Sequence, residues 1–279
     1  MTPEAMPTQV APSETSQSPA ASPVAADWQP VTPPTDLIFD DGEPLESNRH
    51  RIAMNVLIRS AQQALAPRTD CFIGGNMFVY YSQEQALNRD YRGPDFFVAL
   101  GVDGSRERQG WVVWQEGGCY PDVIVELLSP STAAQDRGNK KDIYERIFRT
   151  ADYFIYDPFD ADSLKGWHLE SSAGYQPLVA NEQGWLWCQT LGLWLGTWEG
   201  RLNWEPATGT CAWLRFYGAE GELVPLPEEA AEERAEQAEE RAEQAEERVG
   251  QAEAELERER QKAALLAARL QELGLDPER

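Results

Sequence analysis

The C-terminal part of the chain repeats every seven residues, and this repeat constrains the possible structure more than any other feature of the sequence. From Glu232 it reads EERAEQA EERAEQA EERVGQA EAELERE RQKAALL AARLQEL. Position a of the heptad holds Ala235, Ala242, Val249, Leu256, Ala263 and Leu270, and position d holds Ala238, Ala245, Ala252, Glu259, Leu266 and Leu273. Six sustained heptads predict a coiled coil with a left-handed supercoil, through which the chain would form a homo-oligomer. Alanine buries little surface, so the first half of this seam is weak. The alternative is a single solvated helix held by Glu-to-Arg pairs at short spacing.

The opposite end of the chain has a different character. Residues 1–35 are rich in Pro, Ser, Thr and Ala and poor in large apolar side chains. Such a segment cannot bury enough surface to offset the entropy lost on ordering, so we expect residues 1–35 to be a disordered tail. A docking role for this tail is the less favoured interpretation. The predicted organisation is therefore a tail at 1–35, a folded domain at 36–226 and a coiled-coil helix at 227–279.

The middle of the chain has the composition of a globular domain with both helices and strands. Hydrophobic residues make up 42% of the sequence and aromatic residues 10%, which is enough for a substantial core. The segment SNRHRIAMNVLIRSAQQAL, Ser47 to Leu65, has helical periodicity and a plausible N-cap in Ser47. Strands are predicted in CFIGGNMFVYY, PDFFVAL, GWVVWQ, DVIVELL and DYFIYD, and Trp-rich hairpins are predicted further on. A second helix is predicted within Ser129 to Arg149. The fold class is α/β (α+β), with one mixed sheet and helices packed on it.

Charge and cysteine content exclude several classes of protein. The net charge of −23 counts against non-specific binding of nucleic acid, although divalent ions can bridge an acidic protein to phosphate. Four cysteines without a CxxC pair, together with two histidines, count against a structural zinc site and are typical of reduced, mostly buried thiols. We therefore expect a cytoplasmic protein. The first residues show neither a basic segment nor an apolar segment, so we do not expect a signal peptide. The sequence has no apolar run of membrane-spanning length, so no membrane partner is expected.

Carboxylates inside apolar strands are the strongest sign of chemistry. Asp95 begins the strand in PDFFVAL, and Glu126 lies in the centre of DVIVELL. A carboxylate in a buried strand is costly unless it is paired or binds metal. Two of them on neighbouring strands form a site for a hard divalent cation such as Mg²⁺ or Mn²⁺, and Lys140 on the following helix could hold a phosphate oxygen. A cation there would activate water for hydrolysis of a phosphodiester. The alternative is a pair of buried structural carboxylates.

The same segments resemble a known family. GPDFFVAL, YPDVIVELLSPST and DRGNKKDIYERIFRTADYFIYDP, with ESNRH upstream, are similar to the Uma-type family of restriction endonucleases, a branch of the PD-(D/E)XK nuclease superfamily. The resemblance covers roughly residues 37–214. It implies a restriction-endonuclease-like mixed sheet flanked by helices, a divalent metal, DNA as substrate, and a site formed by an Asp, a Glu and a basic residue.

Carried onto this sequence, the family's site residues fall on Asp95, Glu126 and Lys140. The superfamily pattern places the lysine two residues after the glutamate, but that position here is Leu128. Lys140 is the first choice for the displaced lysine because it lies four residues before Tyr144 and shares a helix face with it. Lys141, about 100° around the helix, is the second choice.

Several other residues are weaker candidates. Asp122 and Glu46 could add to the metal ligands, but a strand-start turn residue and a helix-start charge are the simpler interpretations. His50 could contact phosphate, although a lone histidine on a helix is more often structural. Ser129 and Ser131 belong to a turn and helix cap rather than a nucleophile site. The Trp-rich run is more typical of a core than of a base-stacking platform.

Three functions are compatible with these residues. The first is a metal-dependent endonuclease acting on DNA. The second is a catalytically silent nuclease fold that serves as a binding or assembly module and oligomerises through the coiled coil. The third and weakest is a phosphodiester hydrolase acting on RNA or a nucleotide.

Overall fold

The computed structural model describes residues 34–39, 47–88, 92–129 and 138–272. The chain divides into two compact units, residues 1–35 and 36–279, and all elements below belong to the second unit. Of the predicted disordered tail, residues 1–33 lie outside the described ranges. Glu46, Ser131 and the last heptad residue, Leu273, also lie outside them.

A six-stranded mixed sheet forms the centre of the domain, with strand order β1-β3-β5-β6-β7-β8. Its strands are β1 (Cys71–Gly74), β3 (Phe96–Leu100), β5 (Val123–Leu127), β6 (Asp152–Asp157), β7 (Asp160–Glu170) and β8 (Gly174–Pro177). β5 and β6 run parallel, and every other neighbouring pair in this sheet is antiparallel. The predicted α/β class with a mixed sheet flanked by helices is confirmed, but the expectation of one sheet is wrong, because the Trp-rich strands late in the chain pair with one another in a sheet of their own.

Helix α1 (Asn48–Ala64) and a second sheet cover one face of the central sheet. The second sheet has the order β11-β10-β9, from β9 (Leu186–Cys188), β10 (Leu193–Arg201) and β11 (Thr210–Tyr217). Ser47 caps α1 as predicted, because its hydroxyl accepts a hydrogen bond from the His50 backbone N–H at 3.3 Å. Apolar residues of α1 pack into a core with alternate residues of β3 and β5, such as Phe96 and Val125.

The opposite face is covered by short elements. Two strands, β2 (Val79–Tyr80) and β4 (Trp111–Val112), form a separate parallel pair, and a short helix α2 (Gln83–Leu87) follows β2. Helix α3 (Asn139–Ile143) continues directly into a π-helical turn, Tyr144–Phe148, which ends at Arg149 with φ 57°. Tyr144 and Phe148 pack against the residues of β3 and β5 that point to this side of the sheet.

Two strand predictions need correction. The segment Cys71–Tyr81 is interrupted after β1 because the chain at Gly75 approaches the backbone of Asp95, and a Cβ atom there would lie 2.2 Å from the Asp95 carbonyl oxygen. Only glycine permits this approach. The segment Gly110–Gln115 gives a two-residue strand and then a 3₁₀ helix, Val113–Gln115. The thiols also differ from expectation, since all four are free but only Cys188 is buried.

The C-terminal segment is one helix, α4 (Pro227–Glu272), of 46 residues. Its first turn is held by the domain: the buried Arg215 bonds Glu229 at 2.7 Å, and Arg59 bonds Glu228 at 2.6 Å. Nearly all described side chains after Ala230 are exposed. Within the described ranges, no helix combines the length and apolar composition needed to cross a membrane.

Candidate metal and phosphodiester site

Strand register brings the two predicted carboxylates face to face. β3 and β5 pair with Phe96 opposite Val125, so Asp95, the residue before β3, comes opposite Glu126. An Oδ2 atom of Asp95 accepts a hydrogen bond from the Leu127 backbone N–H at 2.7 Å. This bond fixes the Asp95 carboxylate against β5 and beside Glu126.

Glu126 is a fully buried carboxylate that accepts hydrogen bonds from two donors on one helix. Its side chain has no exposed surface. The Tyr144 hydroxyl donates to Oε1 at 2.6 Å, and the Lys140 ammonium donates to Oε2 at 3.2 Å. Lys140 retains 17% exposure, so its ammonium group lies between the buried carboxylate and solvent. The spacing of four residues places both donors on the side of the helix that faces the sheet.

The electrostatics of this pair favour an additional positive charge. Burial raises the pKa of Asp95 well above its usual value, and the neighbouring Glu126 carboxylate raises this pKa further. The Lys140 ammonium and the Leu127 N–H act in the opposite direction. With both carboxylates ionised, a single lysine leaves the site with a net negative charge, which a bound cation would offset.

The structure separates the two candidate lysines. Lys141, adjacent to Lys140, places its ammonium 4.2 Å from the centroid of the Trp167 ring, in a cation–π contact. It therefore lies against β7 rather than beside the carboxylates. Leu128, at the position where the superfamily pattern has lysine, is buried in the core of this face.

Asp122 lies at the other end of β5 from Glu126. Its Oδ2 accepts a hydrogen bond from the Leu100 backbone N–H at 2.7 Å, which joins the end of β3 to the beginning of β5. Burial raises the pKa of Asp122, and the bond from Leu100 partly offsets that effect. This geometry matches the strand-start interpretation, and Asp122 is not brought to the Asp95–Glu126 pair.

His50 has a structural environment next to the site. Its Nδ1 lies 2.8 Å from the Ser47 hydroxyl, and its Nε2 lies 3.1 Å from the Leu128 carbonyl oxygen. The ring is buried and connects the beginning of α1 to the end of β5. Because both ring nitrogens lie within hydrogen-bonding distance of protein atoms, this histidine helps to hold α1 at the edge of the site.

Two further residues emerge only from the structure. The sequence marks Tyr144 only as a residue that shares a helix face with Lys140, but its hydroxyl donates directly to Glu126; the four-residue spacing was the available signal. Asp152, at the opposite end of β6, is fully buried and bonds His168 at 2.8 Å and the Thr190 N–H at 2.8 Å. No sequence motif marked this further buried carboxylate, which connects the central sheet to the loop after β9.

The donor set at Asp95 and Glu126 fits a hard divalent cation with few protein ligands. Magnesium is commonly held by one or two carboxylates and keeps several waters. In the part of the chain that the structure describes, no group of three or more His, Cys, Asp or Glu side chains is arranged to hold a metal ion. A metal site here would therefore depend on Asp95 and Glu126, with Lys140 beside them.

Comparison with known proteins identifies the family of this chain. The Uma2 family, described as "Putative restriction endonuclease", matches residues 26–203. A crystal structure of a "putative nuclease belonging to DUF820" from Anabaena variabilis ATCC 29413 shares 13% identity, with a TM-score of 0.38 over 57% of this chain and 86% of that chain. No curated protein sequence matches. Because the Uma2 match spans more than half of the residues, including Asp95, Glu126 and Lys140, this chain belongs to the Uma2 family.

Proposed function

We propose that this protein is a metal-dependent endonuclease that hydrolyses DNA phosphodiester bonds with Mg²⁺ or Mn²⁺. The observation that carries the proposal is the convergence of Asp95 and Glu126 with the Lys140 ammonium at 3.2 Å from Glu126. Membership of a restriction endonuclease family supports the same reaction class. Asp95 and Glu126 would hold the cation, and DNA would be the substrate.

The protein groups around the two carboxylates set their geometry before any substrate binds. The Leu127 N–H orients Asp95, and the Tyr144 hydroxyl orients Glu126. Preorganised charges of this kind stabilise a transition state without reorganisation during the reaction. When bound, a divalent cation polarises the phosphoryl group and lowers the pKa of its bound water.

Lys140 is suited to stabilise negative charge on the phosphate. Its side chain retains 17% exposure, whereas its partner Glu126 has none, so the ammonium lies between the buried carboxylate and solvent, from which a substrate would approach. A fixed ammonium at a partly desolvated site lowers the energy of charge that develops on the phosphoryl oxygens. In this role Lys140 contacts the reacting phosphate, while Tyr144 acts only through Glu126.

The neighbouring lysine provides a matched control for the test. Supercoiled plasmid is incubated with Mn²⁺ and wild type, Glu126→Gln, Lys140→Met or Lys141→Met, and the nicked fraction is followed in time. We expect Glu126→Gln and Lys140→Met to lose roughly 100-fold or more in rate. Lys141→Met should keep the wild-type rate because its ammonium faces Trp167. Circular dichroism checks that each variant is folded.

Equal nicking by Lys140→Met and Lys141→Met, or wild-type nicking by Glu126→Gln, would exclude this assignment. Calorimetric titration of Mn²⁺ separates binding from catalysis, because Glu126→Gln should lose heat of binding that wild type shows. The same assay with RNA and single nucleotides tests the weaker alternative of a different phosphodiester hydrolase.

A catalytically silent binding or assembly module is the second candidate. The observation that favours it is the small ligand set, with two carboxylates and no three-member group among the described residues. The long exposed helix α4 fits an assembly role. Wild-type protein that binds no Mn²⁺ and cleaves neither DNA nor RNA, yet self-associates, would support this candidate over the endonuclease.

A further inference from the structure

Helix α4 leaves an apolar stripe open to water. Along positions a and d of its heptads, Val249 is 57% exposed, Leu256 53% and Leu266 65%. These residues lie far from the first turn, which is the part that the domain holds. A stripe of this length on a helix indicates a partner that covers it.

Three arginines in the helix have no acidic neighbour at helical contact distance. They are Arg234, Arg241 and Arg248, one per heptad at position g. The residues three and four positions before and after each arginine are all Ala or Gln. Accordingly, none of the three forms a salt bridge within the described residues, whereas Lys262 and Arg269 do so with glutamates three residues away. The first half of α4 therefore lacks the arginine–glutamate ion pairs, three or four residues apart, that would stabilise a single solvated helix.

We propose that α4 pairs with a second copy of itself as a parallel, in-register, two-stranded coiled coil. In this arrangement each position g faces position e of the next heptad in the other copy. The resulting pairs are Arg234 with Glu239, Arg241 with Glu246, Arg248 with Glu253, and Glu255 with Arg260, the second residue of each pair belonging to the other copy. All four pairs join opposite charges.

A charge reversal along the helix fixes the register. Position g changes from Arg to Glu at residue 255, and the facing position e changes from Glu to Arg at residue 260. Slipping one copy by a heptad would place Arg248 against Arg260. The in-register pairing therefore has a specific electrostatic advantage over the slipped one.

An antiparallel arrangement is disfavoured by the same charges. Antiparallel coiled coils bring position g of one copy against position g of the other. With Ala238 packed across from Ala263, Arg234 would meet Arg269 and Arg241 would meet Lys262, and only Arg248 with Glu255 would join opposite charges at position g. Like charges at these flanking positions destabilise the pair, so orientation as well as register follows from the pattern.

The anchoring of the first turn gives this pairing a structural consequence. Since Glu228 and Glu229 bind Arg59 and Arg215 of the domain, the helix leaves each domain in a defined direction. A parallel pair of helices therefore holds both domains at the same end of a rod about 69 Å long. If the proposed function holds, two copies of the Asp95–Glu126 pair lie in one particle, but the pairing itself does not depend on activity.

Disulfide mapping of the full-length protein tests the orientation. In the double variant Ala238→Cys/Ala263→Cys, parallel pairing joins 238 to 238 and 263 to 263, whereas antiparallel pairing joins 238 to 263. Both sites lie on the predicted seam, and peptide mapping separates these links from those of the four native cysteines. Ala254→Cys on the outer face is the control and should give no link. A 238-to-263 link between copies would overturn the proposal.

Charge exchange tests the pairing independently of cysteine chemistry. Glu239→Arg/Glu246→Arg/Glu253→Arg should halve the mass measured in solution, because each e–g pair in the first half becomes Arg against Arg. Adding Arg234→Glu/Arg241→Glu/Arg248→Glu restores opposite charges and should restore the wild-type mass. A wild-type mass of one chain, or a mass unaffected by the first set of changes, would also overturn it. Because neither readout involves cleavage, failure here leaves the nuclease assignment untouched.

Discussion

Removal of the Tyr144 hydroxyl is the most direct test of the contacts that hold the buried Glu126 carboxylate. This hydroxyl donates to Glu126 Oε1 at 2.6 Å, and neither side chain has exposed surface. A hydrogen bond to a charged group contributes about 1.5–3 kcal/mol to stability. Tyr144→Phe should therefore lower the free energy of unfolding by about that amount, and lower Tm by roughly 3–12 °C for a domain of this size.

A second buried tyrosine supplies a matched control. The hydroxyl of Tyr156 is buried but has no hydrogen-bond partner in the described structure, and burial raises the pKa of this tyrosine to about 12. Tyr156→Phe removes the same atom from the same side chain without breaking a bond. We expect it to leave stability unchanged or to raise it slightly. Both variants are measured by urea unfolding with tryptophan fluorescence, in the presence of EDTA.

A double-mutant cycle identifies the partner of the hydroxyl. In the Glu126→Gln background the bond from Tyr144 is neutral, so Tyr144→Phe should cost only about 0.5–1.5 kcal/mol. The reasoning is refuted if Tyr144→Phe costs no more than Tyr156→Phe. It is also refuted if the cost of Tyr144→Phe is the same with Glu126 as with Gln at that position.

The remaining predictions concern the charge, backbone and helix anchor around the site. Because the pKa of Asp95 is raised above its ordinary 3.8 in the folded protein, the free energy of unfolding without metal should fall as pH rises through that raised pKa. Asp95→Asn should flatten this pH dependence and should be more stable than wild type at neutral pH, as measured by urea unfolding at several pH values in EDTA. A steeper pH dependence in the variant would contradict the raised pKa. Gly75→Ala should cost about 1–3 kcal/mol in urea unfolding, since its Cβ would lie 2.2 Å from the Asp95 carbonyl oxygen; a neutral result would mean that the two backbones are not in close approach. Glu229→Ala should cost about 3 kcal/mol, the lower end for a broken buried pair, because Arg215 has no exposure but Glu229 retains 28%; a cost below about 1 kcal/mol would show that the anchor of α4 lies elsewhere.

Local patterns were sufficient for the elements that carry the site. The capped helix α1 and the strands β3, β5 and β6 follow the predicted segments closely, because each has a clear apolar periodicity and a bounding turn residue. The segment from Cys71 to Tyr81 did not, because the close approach at Gly75 depends on a strand that is distant in sequence. Contacts of that kind leave no periodic signal.

The tertiary structure decided which charged residues belong together. Lys140 and Lys141 are adjacent, and sequence offers only a helix-face argument to separate them; the docking of α3 and its π-helical turn sends one to Glu126 and the other to Trp167. Alternation along β5 places Asp122 and Glu126 on the same face of that strand. The residue opposite Glu126 on the neighbouring strand segment is nevertheless Asp95, because of the register between β3 and β5. Register is a property of two strands, so one strand's sequence cannot supply it.

The sequence by itself determined that carboxylates lie within apolar strands and that a helix of heptad repeats follows the domain. Both follow from side-chain spacing along one element, which needs no knowledge of neighbours. Only the tertiary structure decided that Asp95, Glu126 and Lys140 meet, that Tyr144 supports them, and that α4 is anchored through Arg215. Those contacts join elements far apart in the chain, and their geometry is set by strand register and by how the helices pack on the sheet.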